Sequence, residues 1–186
     1  YRAKGERRSA FRFFEEEMDR LVRQREQMER ELREALEQDL IRPQFPPSID
    51  LASGKVTGFE AVPGWIVAGV ERFPPERFLP VAEETGLIHA IAKRILDLAC
   101  AAARDWPDEI MLSIDVLPAQ LKDRSLGEGI LAAIGAAGLP PARLEIDISE
   151  SAIVHDLQAA KAALGSLRQA GVRIALDNFG TGYSNL

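Results

Sequence analysis

The 186-residue sequence has one cysteine, two histidines, two tyrosines and two tryptophans. A single cysteine excludes an internal disulfide and fits a reducing, cytoplasmic setting. Cys100 lies in the apolar run Leu96-Asp97-Leu98-Ala99-Cys100-Ala101, where a buried helical thiol is expected rather than a reactive one. No apolar run is long enough to span a bilayer, so no membrane contact is expected from this segment. No basic stretch followed by an apolar core marks a secretory leader. Basic charge is not in excess either: the formal net charge is −6, which argues against a general nucleic-acid binder. An anionic ligand would have to be met by locally placed Arg or Lys, by backbone N–H groups or by a metal ion. Tyr1 is not a natural first residue, so a piece of a longer protein is expected.

Residues 1–39 differ from the rest of the chain. They carry ten basic and eleven acidic side chains. Met18, Leu21, Val22, Met28, Leu32, Ala35, Leu36 and Leu40 recur at spacings of three and four, which predicts a long amphipathic helix with a narrow apolar stripe, interrupted by Arg25. Such a helix either rests on the domain C-terminal to it or pairs with a second copy of itself.

From Pro43 the pattern is β/α. A proline-broken strand over 45–49 and a second over 56–62 make a hairpin. A Pro-Gly break comes next at Pro63-Gly64. Pro74-Pro75 opens a helix to about Thr85, closed by Gly86. A second helix runs to about Arg104. Then come a strand over 110–116, a helix over 125–137, a strand over 143–149, a helix over 152–170 and a strand over 172–176. Short apolar strands alternating with helices imply a parallel sheet with right-handed crossovers. Four strands, ending near Glu60, Asp115, Asp147 and Asp177, could line a barrel that needs eight. The fold expected is therefore α/β, a partial (β/α) barrel behind a long N-terminal helix.

Those four carboxylates carry the chemistry. Each stands at or near the C-terminal tip of a separate strand, where a β/α barrel places its chemistry. Singly, an acid after a strand is often a helix N-cap or a loop residue. Together, four buried acids repel unless they are protonated or neutralised by cations. Oxygen-only ligands suit Mg²⁺, Mn²⁺ or Ca²⁺, and two such ions would form a clamp for phosphodiester hydrolysis. His89 reads as a surface or packing histidine, and His155 as part of the first turn of helix 152–170. Arg12, Arg72, Arg77 and Arg173 could each touch phosphate, but nothing in the sequence separates them from solvated charges.

The strings Phe45-Pro46-Pro47, Glu60-Ala61-Val62-Pro63-Gly64-Trp65, Phe78-Leu79-Pro80-Val81-Ala82-Glu83-Glu84-Thr85-Gly86-Leu87-Ile88, Ser113-Ile114-Asp115-Val116, Glu145-Ile146-Asp147-Ile148-Ser149-Glu150-Ser151 and Asp177-Asn178-Phe179-Gly180-Thr181-Gly182-Tyr183-Ser184-Asn185-Leu186 occur in order. From about residue 43 to 186 they resemble the EAL domains that handle the bacterial messenger cyclic di-GMP. Residues 1–18, with Tyr1-Arg2-Ala3-Lys4 and an aromatic segment Phe11-Arg12-Phe13-Phe14, resemble the closing helix and short strand of a GGDEF domain. The resemblance implies three segments: 1–18 as a GGDEF remnant, 15–42 as a linker or signalling helix, and 43–186 as the N-terminal part of an EAL-like barrel. It implies Mg²⁺ or Mn²⁺ at Glu60, Asp115, Asp147 and Asp177, and ligand contacts at Glu60, Trp65, Asn178 and Gly180. Trp65 would stack on a guanine base or fill the barrel rim. A dimer-coupling loop would hold Thr181 and Tyr183. Expected partners are cyclic di-GMP, a second copy and an adjacent GGDEF domain.

The departures from the family pattern cluster at the site. A ligand-contacting glutamine is replaced by Pro46, and an arginine before the tryptophan by Gly64. A metal-binding asparagine is Asp115, a glutamate is the shorter Asp147, and the second aspartate of a pair is Asn178. The exchanges at 115 and 178 keep the carboxylate count and offset each other. The family's lysine and further acids fall beyond Leu186, so no catalytic residue is assigned here. The expected function is a degenerate, non-catalytic regulatory, receptor or dimerisation module of cyclic di-GMP signalling. The alternatives are an active phosphodiesterase when the full domain is present, or an interaction module that binds no nucleotide.

Overall fold

The computed structural model describes residues 3–149 and 157–177. Helix α1 (Ala3–Glu37) is continuous. Residues 11–14 are therefore helical, and the short aromatic strand implied there is not formed. Helix propagation is cooperative, and the Glu- and Arg-rich flanks are good helix formers that carry the aromatic residues along. The apolar stripe divides in two. Met28, Leu32 and Ala35 are buried against the body of the domain, while Met18, Leu21 and Val22 are exposed. The second half of α1 thus rests on the domain. Arg25 pairs with Glu84, and Glu31 pairs with Arg72 at 2.8 Å. Leu32→Ala should cost about 2–5 kcal/mol of stability through the cavity it leaves, and Arg25→Ala less than about 1 kcal/mol because its ion pair is solvated. Urea titration of the two variants checks that ranking.

The strands build two sheets. Strands β1 (Ile41–Gln44), β4 (Val62–Val67) and β5 (Val70–Phe73) form a small antiparallel sheet in the order β1-β4-β5. Strands β2 (Pro47–Ile49), β3 (Val56–Glu60), β6 (Met111–Val116), β7 (Leu144–Ser149) and β8 (Arg173–Asp177) form the larger sheet in that order. Its β2-β3 pair is an antiparallel hairpin and the remaining pairings are parallel. This is the expected hairpin plus four barrel strands.

The small sheet was not expected. Proline reads as a strand breaker, yet β1 and β4 set Pro43 directly opposite Pro63. An antiparallel ladder alternates hydrogen-bonded and non-hydrogen-bonded pairs. Two prolines fit only the second kind, where neither needs an N–H. The strand expected over 45–49 is only Pro47–Ile49, and the one expected over 56–62 divides between the two sheets, β3 ending at Glu60 and β4 beginning at Val62. The β4-β5 turn, Ala68-Gly69, has φ of 51° and 81°, the doubly positive pattern of a tight hairpin.

Helices α2 (Pro75–Thr85), α3 (Ile88–Ala103), α4 (Leu126–Ala137) and α5 (Leu157–Gln169) cover the sheets. Proline opens α2 and left-handed Gly86 closes it, as expected. One core holds Ile91, Ile95, Ala99, Leu112, Ile130, Ile134, Leu144, Ile146, Ile148 and Leu167. Buried Arg143 ties α3 to β6, donating to the carbonyls of Ala103 and Ile110 at 3.0 Å each. Cys100 is buried, and burial with help from Asp97 pushes its thiol up to about 12, which makes it unreactive as expected. No helix among the described residues is long and apolar enough to cross a membrane.

Candidate functional site

Period-two alternation sorts the barrel strands. In β7, Leu144, Ile146 and Ile148 are buried, while Glu145, Asp147 and Ser149 are only partly so. In β6, Leu112 and Val116 are buried and Asp115 is open to solvent. The apolar set packs into the core and the polar set faces the other side of the sheet.

Register then decides which acids meet. Glu60 lies opposite Ser113, which lies opposite Glu145, which lies opposite Arg173. Asp115 lies directly opposite Asp147, and Asp177 opposite Ser149. The acids therefore climb as they cross the sheet: Asp115 and Asp147 stand two residues beyond the rung of Glu60, and Asp177 four. A stagger of this sense is what tilted barrel strands require, and it brings successive tips toward one height along the barrel axis.

The four carboxylates feel one another. Glu60 is held above its ordinary range by burial first, then by Asp115 and Asp177. Asp115 is raised by the protein around its carboxyl and then by Asp177. Asp147 is pushed up to about 6 by burial, then by Glu145 and Asp115, against a hydrogen bond from Ser113 that lowers it. Every raised group is an acid with acid neighbours, which is the condition a cation relieves.

The donor set suits a hard cation in chemistry and charge, since all four members offer carboxylate oxygens. Among the described residues, however, no three His, Cys, Asp or Glu side chains are gathered closely enough to enclose an ion. The strands set the acids in line; enclosing an ion requires their side chains to turn inward together.

This crowding makes stability depend on pH. An unfolded Asp titrates near 3.9, and Asp147 in the fold titrates at about 6. Between about pH 4 and 6 the folded state binds the extra proton, so stability in chelator falls as pH rises through that window. Asp147→Asn should therefore raise stability at pH 7 by about 1 kcal/mol, discounted for solvent access, and should flatten that slope. Thermal melts at pH 4.5 and 7 in chelator check both. A loss of stability at pH 7 would mean the carboxylate makes a favourable contact that outweighs the repulsion.

The other expected residues separate. Trp65, on β4 of the small sheet, is 1% exposed and lies edge-on to Phe73 and Phe78 at 5.2 and 5.8 Å. It is part of the hydrophobic core. Its indole Nε1 has no hydrogen-bond partner. Arg72 lies over the Trp65 and Phe73 rings and pairs with Glu31, and Arg77 sits 4.4 Å over Phe73. Both cations are thereby committed to packing. His89 is exposed, with Asp123 as a charged neighbour. Asn178, Gly180, Thr181, Tyr183 and His155 lie outside the described residues. Ser113 and Glu145 were not singled out from the sequence. Their signal was there, since each stands two residues before a candidate acid on the same face.

The EAL domain family matches residues 29–186, beginning inside α1. An uncharacterised signalling protein of Caulobacter vibrioides is 40% identical over the whole chain. The bifunctional diguanylate cyclase/cyclic di-GMP phosphodiesterase MucR of Pseudomonas aeruginosa is 32% identical, again over the whole chain. The chain spans 23% of the first of these relatives and 28% of the second. The solved MucR phosphodiesterase in complex with cyclic di-GMP superposes with a TM-score of 0.79, covering 85% of this chain and 66% of that one. The FimX EAL domain of Pseudomonas aeruginosa, bound to cyclic di-GMP, does so at 0.72 and 28% identity, covering 82% of this chain and 62% of that one. With the acids at successive strand tips of a partial α/β barrel, and a family match over most of its length, the chain belongs to the EAL domain family.

Proposed function

We propose that this EAL domain is a regulatory receptor for cyclic di-GMP whose metal-dependent hydrolysis is weakened. The observation that carries this reading is the row Glu60, Asp115, Asp147 and Asp177. The acids stay on adjacent strands and raise one another's affinity for protons, so the demand for a cation persists. In contrast, Pro46 and Gly64 offer no side-chain donor. Mg²⁺ or Mn²⁺ held by those four residues would supply an activated water and charge stabilisation at the scissile phosphate. Ser113 orients Asp147. Asp147 is one methylene shorter than glutamate, and a misplacement near 1 Å costs on the order of a hundredfold in rate. We assign residues 1–18 to the end of a GGDEF-like domain, 15–42 to a linker helix, and Thr181 and Tyr183 to contact with a second copy.

The test is a calorimetric titration of cyclic di-GMP into the full-length protein with Mg²⁺, then a product assay. Saturable binding at micromolar or tighter affinity with little linear product supports the receptor. Rapid conversion to the linear dinucleotide would replace it with the phosphodiesterase. No heat at high protein concentration would leave a scaffold that binds no nucleotide.

A further inference from the structure

Two donors are missing at Pro46 and Gly64, but the space they vacate is not empty. In the β1-β4 ladder Ile41 lies opposite Trp65, Arg42 opposite Gly64, Pro43 opposite Pro63 and Gln44 opposite Val62. Directly opposed residues share a face. Ile41 and Trp65 are buried in the core, so Arg42, Gly64, Gln44 and Val62 take the other face. Carried through Ala61, the two-residue alternation sets Glu60, Val62 and Gly64 on one side. Glu60 donates its N–H to the Pro46 carbonyl at 3.0 Å. The Gln44–Val62 rung is thus the next one up, roughly 7 Å beyond Glu60.

Gln44 lies across Gly64. A Cβ at 64 would stand 2.8 Å from its Nε2, 2.9 Å from Cγ and 3.0 Å from Cδ. The glycine is what lets the glutamine lie there. No hydrogen bond among the described residues engages the Gln44 side-chain amide, which keeps two donor hydrogens and an acceptor. Arg42, exposed and opposite Gly64, adds a positive charge on the same face.

We infer that Gln44 is a ligand-contacting residue of this domain: its amide, seated on Gly64 above Glu60, donates to a phosphodiester oxygen of the nucleotide in place of the side chains that positions 46 and 64 lack. This rests on the reading that the domain binds cyclic di-GMP. The pairing also makes Gly64→Arg a poor restoration, because any side chain at 64 must first displace Gln44.

The experiment titrates cyclic di-GMP into the full-length protein and its Gln44→Met, Gln44→Ala and Gly64→Ala variants, with melting temperatures in parallel. Gln44→Met keeps the shape and removes the amide, and Gly64→Ala keeps the amide and moves it. All three should weaken binding about tenfold to a hundredfold, the range for a hydrogen bond to a charged group, with melting temperatures within a few degrees of the parent. If the parent binds and Gln44→Met binds equally well, the inference is overturned and the receptor reading stands. If the parent itself gives no saturable heat, both fall together.

Discussion

Asp115→Asn in the full-length protein should weaken Mn²⁺ binding by about a hundredfold, and adding Asn178→Asp should recover most of the loss. Asp115 is coupled to every other member of the row: it raises Glu60 and Asp147, and Asp177 raises it. It also lies directly opposite Asp147 on the neighbouring strand. The substitution leaves only a neutral amide oxygen in place of a carboxylate, and it removes much of the repulsion that a cation relieves. Outer contacts of a metal site already cost tenfold to a hundredfold when lost, and a direct ligand should stand at the upper end or beyond. The same substitution should let Glu60 and Asp147 ionise at lower pH. Calorimetric Mn²⁺ titration of the parent, the single variant and the double variant measures the coupling. An unchanged single variant would remove Asp115 from the ligand set. A double variant as weak as the single one would show that positions 115 and 178 do not offset each other.

Trp65→Ala should destabilise the domain by about 3–5 kcal/mol, the range for emptying a large buried aromatic site. The ring fills the space between β5 and α2, edge-on to Phe73 and Phe78, with the Arg72 guanidinium 5.7 Å from its centroid. Trp65→Phe should cost much less, about 1 kcal/mol. It opens a smaller cavity and also removes a buried indole N–H that has no acceptor, a group whose burial costs about 1–3 kcal/mol. Guanidinium unfolding of both variants checks the ranking. If Trp65→Ala unfolded as the parent does but lost nucleotide affinity, the ring would be acting on ligand and not on packing.

The barrel half of this fold was legible because its signals are local and repetitive. Val172, Ile174 and Leu176 alternate toward an acid at the tip, and the runs around Ile114 and Ile146 do the same. The small sheet was illegible because its reason is pairwise: Pro43 and Pro63 each argue against a strand alone, and are tolerated only opposite one another. Gln44 went unnoticed for a similar cause. Nothing in the string Arg42-Pro43-Gln44-Phe45 points to a residue twenty positions later, and only the ladder lays that side chain on Gly64.

What the sequence by itself determined is the inventory: a charged N-terminal helix, a β/α alternation, and four carboxylates at the ends of apolar runs, all of which arise from side-chain periodicity and turn chemistry within a few residues. What the tertiary structure decided is which of these residues face one another. It set Asp115 level with Asp147, staggered Glu60 and Asp177 to either side, closed Trp65 into the core and laid Gln44 across Gly64. Those outcomes depend on strand register, and register is set by packing between segments far apart in the chain.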